Sequence, residues 1–77
     1  MNLIESTINT PYEVIAIDSN DDKLITRLLS FGITKGSIIT PLYFSIKKST
    51  LAISVQQSQI ALRYSEASRI IIEPIND

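Results

Sequence analysis

The stretch Leu28-Leu29-Ser30-Phe31-Gly32-Ile33-Thr34-Lys35-Gly36-Ser37-Ile38 most constrains what this chain can become, because it runs from a leucine-bearing helix end through two glycines into an isoleucine-rich strand. A glycine just past a periodic apolar segment takes the left-handed conformation that closes a helix without a Cβ clash. Gly32 therefore marks a helix end, and Gly36 the turn into the next strand. Upstream, Leu24, Leu28 and Phe31 recur at spacings of four and three, with Ile25 and Leu29 widening the stripe. That pattern predicts a helix of about three turns or fewer, apolar face inward, with Lys23, Thr26 and Ser30 outward. The run Asp18-Ser19-Asn20-Asp21-Asp22 breaks the preceding segment and supplies the side chains that cap such a helix.

The remainder reads as strands. Tyr12 to Ile17 is rich in β-branched residues, which a pleated surface accommodates. Ser37 to Phe44 has strong strand preference but contains Pro41, which cannot donate to a ladder and so demands an edge or a bulge. Ile46 to Thr50 is the polar tip of a hairpin, and Leu51 to Gln56 alternates in period two with Leu51, Ile53 and Val55 toward the core. Gln59 to Arg63 and Ser68 to Glu73 complete the set, with room for one helical turn between them and Pro74 as a stop. Leu3, Ile4 and Ile8 tie the lead-in to the core, and Asn9-Thr10-Pro11 is a turn. The expected architecture is mostly β with one short helix, five short strands forming a small, partly closed barrel over a single domain, 1–77.

Composition narrows function. With 77 residues, 44% of them hydrophobic and 19% charged, the chain is globular and any site is shallow or shared with a partner. The absence of Cys and His removes disulfides, thiolate chemistry and the commonest transition-metal ligands. A net charge of −1 gives no broad field for nucleic acid. No apolar run approaches the ~20 residues of a membrane span, and the N-terminus lacks a signal-peptide pattern; a cytoplasmic location is expected.

Few residues offer chemistry. Asp18, Asp21 and Asp22 are candidate oxygen ligands for a divalent ion, but a calcium loop beginning at Asp18 would close with glutamate where Leu29 stands, so turn and cap roles are favoured. Gly32 to Ser37 shares letters with a phosphate loop, yet Lys35 precedes Gly36 and a strand follows, which makes Gly32 and Gly36 structural turn residues. Lys23 with Arg27, one helical turn apart, and Lys47 with Lys48 at the hairpin tip are candidates for meeting an acidic partner. Arg63 emerges from a core strand and is expected to pair internally. Scattered carboxylates without His do not make an enzyme.

Taken in order, Tyr12-Glu13-Val14-Ile15-Ala16-Ile17, Arg27-Leu28-Leu29-Ser30-Phe31-Gly32-Ile33-Thr34-Lys35-Gly36, Ile53-Ser54-Val55, Ile60-Ala61-Leu62-Arg63, Ala67 and Ile70-Ile71-Ile72 resemble the FeoA family of small accessory proteins of bacterial ferrous iron uptake. The resemblance implies an SH3-like barrel and binding to the cytosolic GTPase domain of the ferrous iron permease FeoB, with the membrane reached only through that partner. It departs from the family at Pro11, at Gln57 and in the hairpin Ser45 to Thr50, where glycines are common, and at Lys35, where proline is common. Related domains are appended to metal-dependent repressors, so weak divalent-metal binding or sensing at Asp18, Asp21 and Asp22 is the alternative, with no other cofactor implied. A peptide-binding barrel is a further alternative, and it needs two tyrosines on one exposed face.

Overall fold

The structure, a computed structural model describing residues 1–75, begins with a short 3-10 turn, Leu3–Glu5, capped by the Asn2 side chain. Five strands follow, β1 (Tyr12–Ile17), β2 (Ile38–Phe44), β3 (Thr50–Val55), β4 (Ser58–Arg63) and β5 (Ile70–Pro74), with helix α1 (Asp22–Ser30) after β1 and the single turn α2 (Tyr64–Ala67) between β4 and β5. The strands form one antiparallel sheet in the order β4-β3-β2-β1-β5.

Two irregularities bend this sheet. The register shifts between Pro41 and Tyr43 where β2 pairs with β3, and between Val14 and Ala16 where β1 pairs with β5. Pro41 thus sits at a bulge, as a residue without an N–H must inside a central strand. Its carbonyl accepts from the Asn9 amide at 2.7 Å, which fastens the lead-in to the sheet. The free edge of β5 is covered from the same direction: Asn2 bridges Ile71, and the Ile72 amide donates to the Met1 carbonyl at 2.8 Å.

The core is apolar throughout. Leu3, Val14, Leu28, Ile33, Ile39, Leu51, Ile53, Val55, Leu62, Ala67, Ile70 and Ile72 are buried, so every residue of β3 assigned inward by period-two alternation faces the core. Gly32 ends α1 as the spacing requires. At φ +84° it lets its own amide reach the Leu29 carbonyl and the Ile33 amide reach that of Leu28, each at 2.9 Å, the paired closure of a Schellman motif. Gly36, at φ +93°, turns the chain into β2 while its amide holds the Val14 carbonyl at 2.7 Å.

The helix face is narrower than its periodicity suggests. Leu28 is buried and Leu24 and Phe31 are half-buried, but Ile25 and Leu29 are 37% and 58% exposed. A nine-residue helix laid against a small curved sheet has only one row of side chains in contact, so the flanking apolar positions stay in water. The last strand starts at Ile70 rather than Ser68 because Ser68 and Arg69 complete the α2 turn, donating to the Tyr64 and Glu66 carbonyls.

Candidate functional site

The acidic loop before α1 is spent largely on local structure. Asp21 is the N-cap: its Oδ1 accepts from the Lys23 amide at 3.0 Å, while the Ser19 hydroxyl accepts from the Asp21 amide at 3.0 Å. Asp18 donates its amide to the Arg69 carbonyl at 2.7 Å, joining the loop to the start of β5. The carboxylates of Asp18 and Asp22 are exposed. Among the described residues no three His, Cys, Asp or Glu side chains gather around a point that could hold a metal ion.

The two arginines singled out in the sequence stand in different surroundings. Arg27, a candidate for partner contact, directs its Nε to Glu66 Oε2 at 2.8 Å, and its guanidinium lies 5.1 Å from the centre of the Phe31 ring. Glu66 is only 8% exposed, and its Oε1 also accepts the Arg63 amide at 2.8 Å. One carboxylate therefore closes the first turn of α2 and ties that turn to α1. Arg63, expected to pair internally, is exposed and makes no ion pair among the described residues. Its side chain lies on the sheet face opposite Leu62, which is the inward residue of that pair.

A cleft of about 450 Å³ opens between α1 and α2. Lys23, Arg27, Arg63 and Arg69 surround it together with Asp21 and Glu66. The cleft thus unites two of the sequence candidates, Lys23 and Arg27, with two cations from the far end of the chain. Arg69 escaped sequence reasoning because it lies in a turn with no periodicity to give it a face. Glu66 carried one signal, its place at the third position of a one-turn helix, where a carboxylate caps the turn.

Lys47 and Lys48 lie at the β2–β3 hairpin tip, both exposed. Ser45 organises that tip, its hydroxyl accepting from the Ser49 and Thr50 amides and its carbonyl from the Lys48 amide at 2.8 Å. The tip is fastened to α2 by the Tyr64 amide, which donates to the Ser49 carbonyl at 2.8 Å, and Thr50 is the cross-strand partner of Arg63. The hairpin lysines accordingly border the cleft end of the sheet.

Of the three tyrosines, Tyr43 and Tyr64 are exposed and Tyr12 is not. Tyr12 is buried, its hydroxyl accepting from the Thr7 amide at 2.8 Å. Tyr43 is exposed on the outer face of the sheet, where its hydroxyl takes a 3.0 Å hydrogen bond from the Gln59 amide nitrogen. Tyr64 opens α2.

The family model described as the FeoA domain matches residues 1–74. A Helicobacter pylori protein named as a candidate Fe(2+) transport protein A is 42% identical over 73 residues, spanning 95% of this chain and 94% of its own. Among solved structures, Stenotrophomonas maltophilia FeoA, described as a prokaryotic SH3 domain protein and complexed with zinc, superposes with a TM-score of 0.80 at 26% identity, over 95% of this chain and 89% of that one. A manganese-dependent transcriptional repressor shares the fold, with a TM-score of 0.88 at 16% identity over 97% of this chain and 41% of its own. The bent five-stranded sheet with its flanking helix is therefore an SH3-like fold.

Proposed function

The chain belongs to the FeoA family, and from that premise we propose that it is a cytoplasmic accessory protein of bacterial ferrous iron uptake that docks on the GTP-hydrolysing region of the iron permease and modulates transport. The names of its relatives support the iron-transport part of this reading. The observation that carries the docking part is the one-sided placement of cations: Lys23 at the cleft and Lys47 and Lys48 on the adjoining hairpin are exposed and unpaired among the described residues. Arg27 contributes differently from the lysines. Its Nε is held by Glu66, whose carboxylate offsets its charge toward an acidic partner.

The role is binding rather than catalysis. There is no His or Cys, and the most buried carboxylate, Glu66, already holds an arginine and a backbone amide. Contact with the membrane passes through the partner; no helix of the described residues is long and apolar enough to cross a bilayer.

The test is an NMR titration of the labelled chain with the permease GTPase region, first with GDP and then with a non-hydrolysable GTP analogue. Localised amide shifts at Lys23, Lys47 and Lys48, lost in the charge-reversed K47E/K48E variant with its melting temperature unchanged, are expected. Absence of shifts at saturating partner would sink the docking reading. A second reading, weak divalent-metal binding at Asp18 and Asp22 with Asp21 held as the cap, draws support from the zinc in the Stenotrophomonas relative. Without imidazole or thiolate such a site favours hard cations. Calorimetry with manganous and ferrous ion reads it directly, and no heat at millimolar metal removes it.

A further inference from the structure

We propose that the cleft between α1 and α2 is a receptor for an acidic protein segment, one that presents at least two carboxylates to Lys23, Arg63 and Arg69; this rests on the docking reading and specifies what the partner must bring. Of the cleft's two carboxylates, Glu66 is held by Arg27 and the Arg63 amide, while Asp21 accepts only the Lys23 amide and keeps its charge, so four cations face two carboxylates. Lys23, Arg63 and Arg69 carry donors only, are exposed, and make no ion pair among the described residues. A concavity with more cations than carboxylates selects a ligand rich in anionic oxygen, and the arginine fork suits carboxylates held in pairs.

The extent of the charge selects a protein segment over a small anion. Of the seven basic residues in the chain, only Lys35 lies outside the cleft and the hairpin tip. The Tyr64–Ser49 hydrogen bond and the Thr50–Arg63 pairing bring the hairpin that carries Lys47 and Lys48 to the end of β4 where Arg63 stands, so cations lie outside the cleft as well as around it. A nucleic acid fits poorly. Asp18 on the loop and Asp22 at the start of α1 stand exposed, where a continuous phosphate backbone meets repulsion, whereas a protein can place its own lysines opposite them.

The experiment titrates the isotopically labelled full chain with a hexaglutamate peptide, with inorganic phosphate at matched ionic strength as a parallel arm, and repeats both with R63Q/R69Q. Neither substitution removes a structural contact, since Arg63 and Arg69 serve α2 through backbone groups, and melting curves verify the fold. Saturable shifts at Arg63, Ser65 and Arg69, weakened about tenfold in the double variant and by added salt, are expected. Unchanged peptide binding in R63Q/R69Q overturns the proposal. So does phosphate saturating the same amides as tightly as the peptide, which would make the cleft a small-anion site. The permease GTPase region then separates the two readings. If it binds R63Q/R69Q as tightly as the parent, the cleft proposal falls and docking stands. If it binds neither protein while hexaglutamate binds only the parent, the acid-receptor cleft stands and docking on that region falls.

Discussion

Gln57→Gly should stabilise this protein, against the usual cost of introducing glycine. Gln56 and Gln57 are the two central residues of the turn between β3 and β4, flanked by the Val55–Ser58 pair, and both have left-handed backbones, φ +50° and +67°. Such two-residue hairpins favour Asn-Gly because a Cβ is strained there. The left-handed conformation costs an L-residue about 1–2 kcal/mol, and glycine forfeits about 0.4–1 kcal/mol of that gain through its freer unfolded chain. The Gln57 side chain is exposed, so little contact is lost, and the net gain is about 0.5–1 kcal/mol. For a domain of this size that corresponds to a rise in Tm of about 4 °C. Thermal unfolding followed by circular dichroism, with urea titration confirming an unchanged m-value, measures it. Gln57→Ala, which keeps the Cβ, should recover almost none of the gain. An equal or lower Tm for Gln57→Gly would refute the claim that backbone strain is stored in this turn.

Two further predictions concern the neighbouring contacts. Gly32→Ala should cost about 1–2 kcal/mol, because it places a Cβ at φ +84° and within 2.9 Å of the Gln56 side-chain amide; adding Gln56→Ala should return only the contact part of that loss, as read from urea midpoints. Glu66→Ala should cost about 2 kcal/mol by leaving the Arg63 amide and Arg27 without their acceptor, whereas Glu66→Gln, which keeps a carbonyl for the amide, should lose about half as much; equal losses would mean that the ion pair and not the capped turn dominates.

The departures from the family pattern gain physical meaning here. Gln57, and Lys48 in the hairpin Ser45 to Thr50, fall at places where the sequence departs from the glycines expected from the resemblance, and both have a positive φ, +67° and +54°. A left-handed backbone is strained for both side chains, and one of them adds a cation to the proposed docking surface. A gain in stability from glycine at 48 would accordingly come at the expense of charge at the hairpin tip.

What the sequence determined by itself was local: the helix end at Gly32, the turn at Gly36, the inward row Leu51, Ile53 and Val55, the edge or bulge demanded by Pro41 and the cap chemistry of the Asp18 to Asp22 run all follow from rules that act within a few residues. Tertiary structure decided everything that depended on a distant neighbour. Ile25 and Leu29 read as core from their spacing, but a small curved sheet covers only one row of α1 and leaves them in water. Arg27 and Arg63 look interchangeable as cations in the sequence, and only the approach of α2 to α1, with Glu66 reaching both the guanidinium of one and the amide of the other, makes the first a strut and the second a free charge. The cleft itself exists because loop, helix and turn meet in space, and no spacing along the chain encodes which charges remain unpaired once they do.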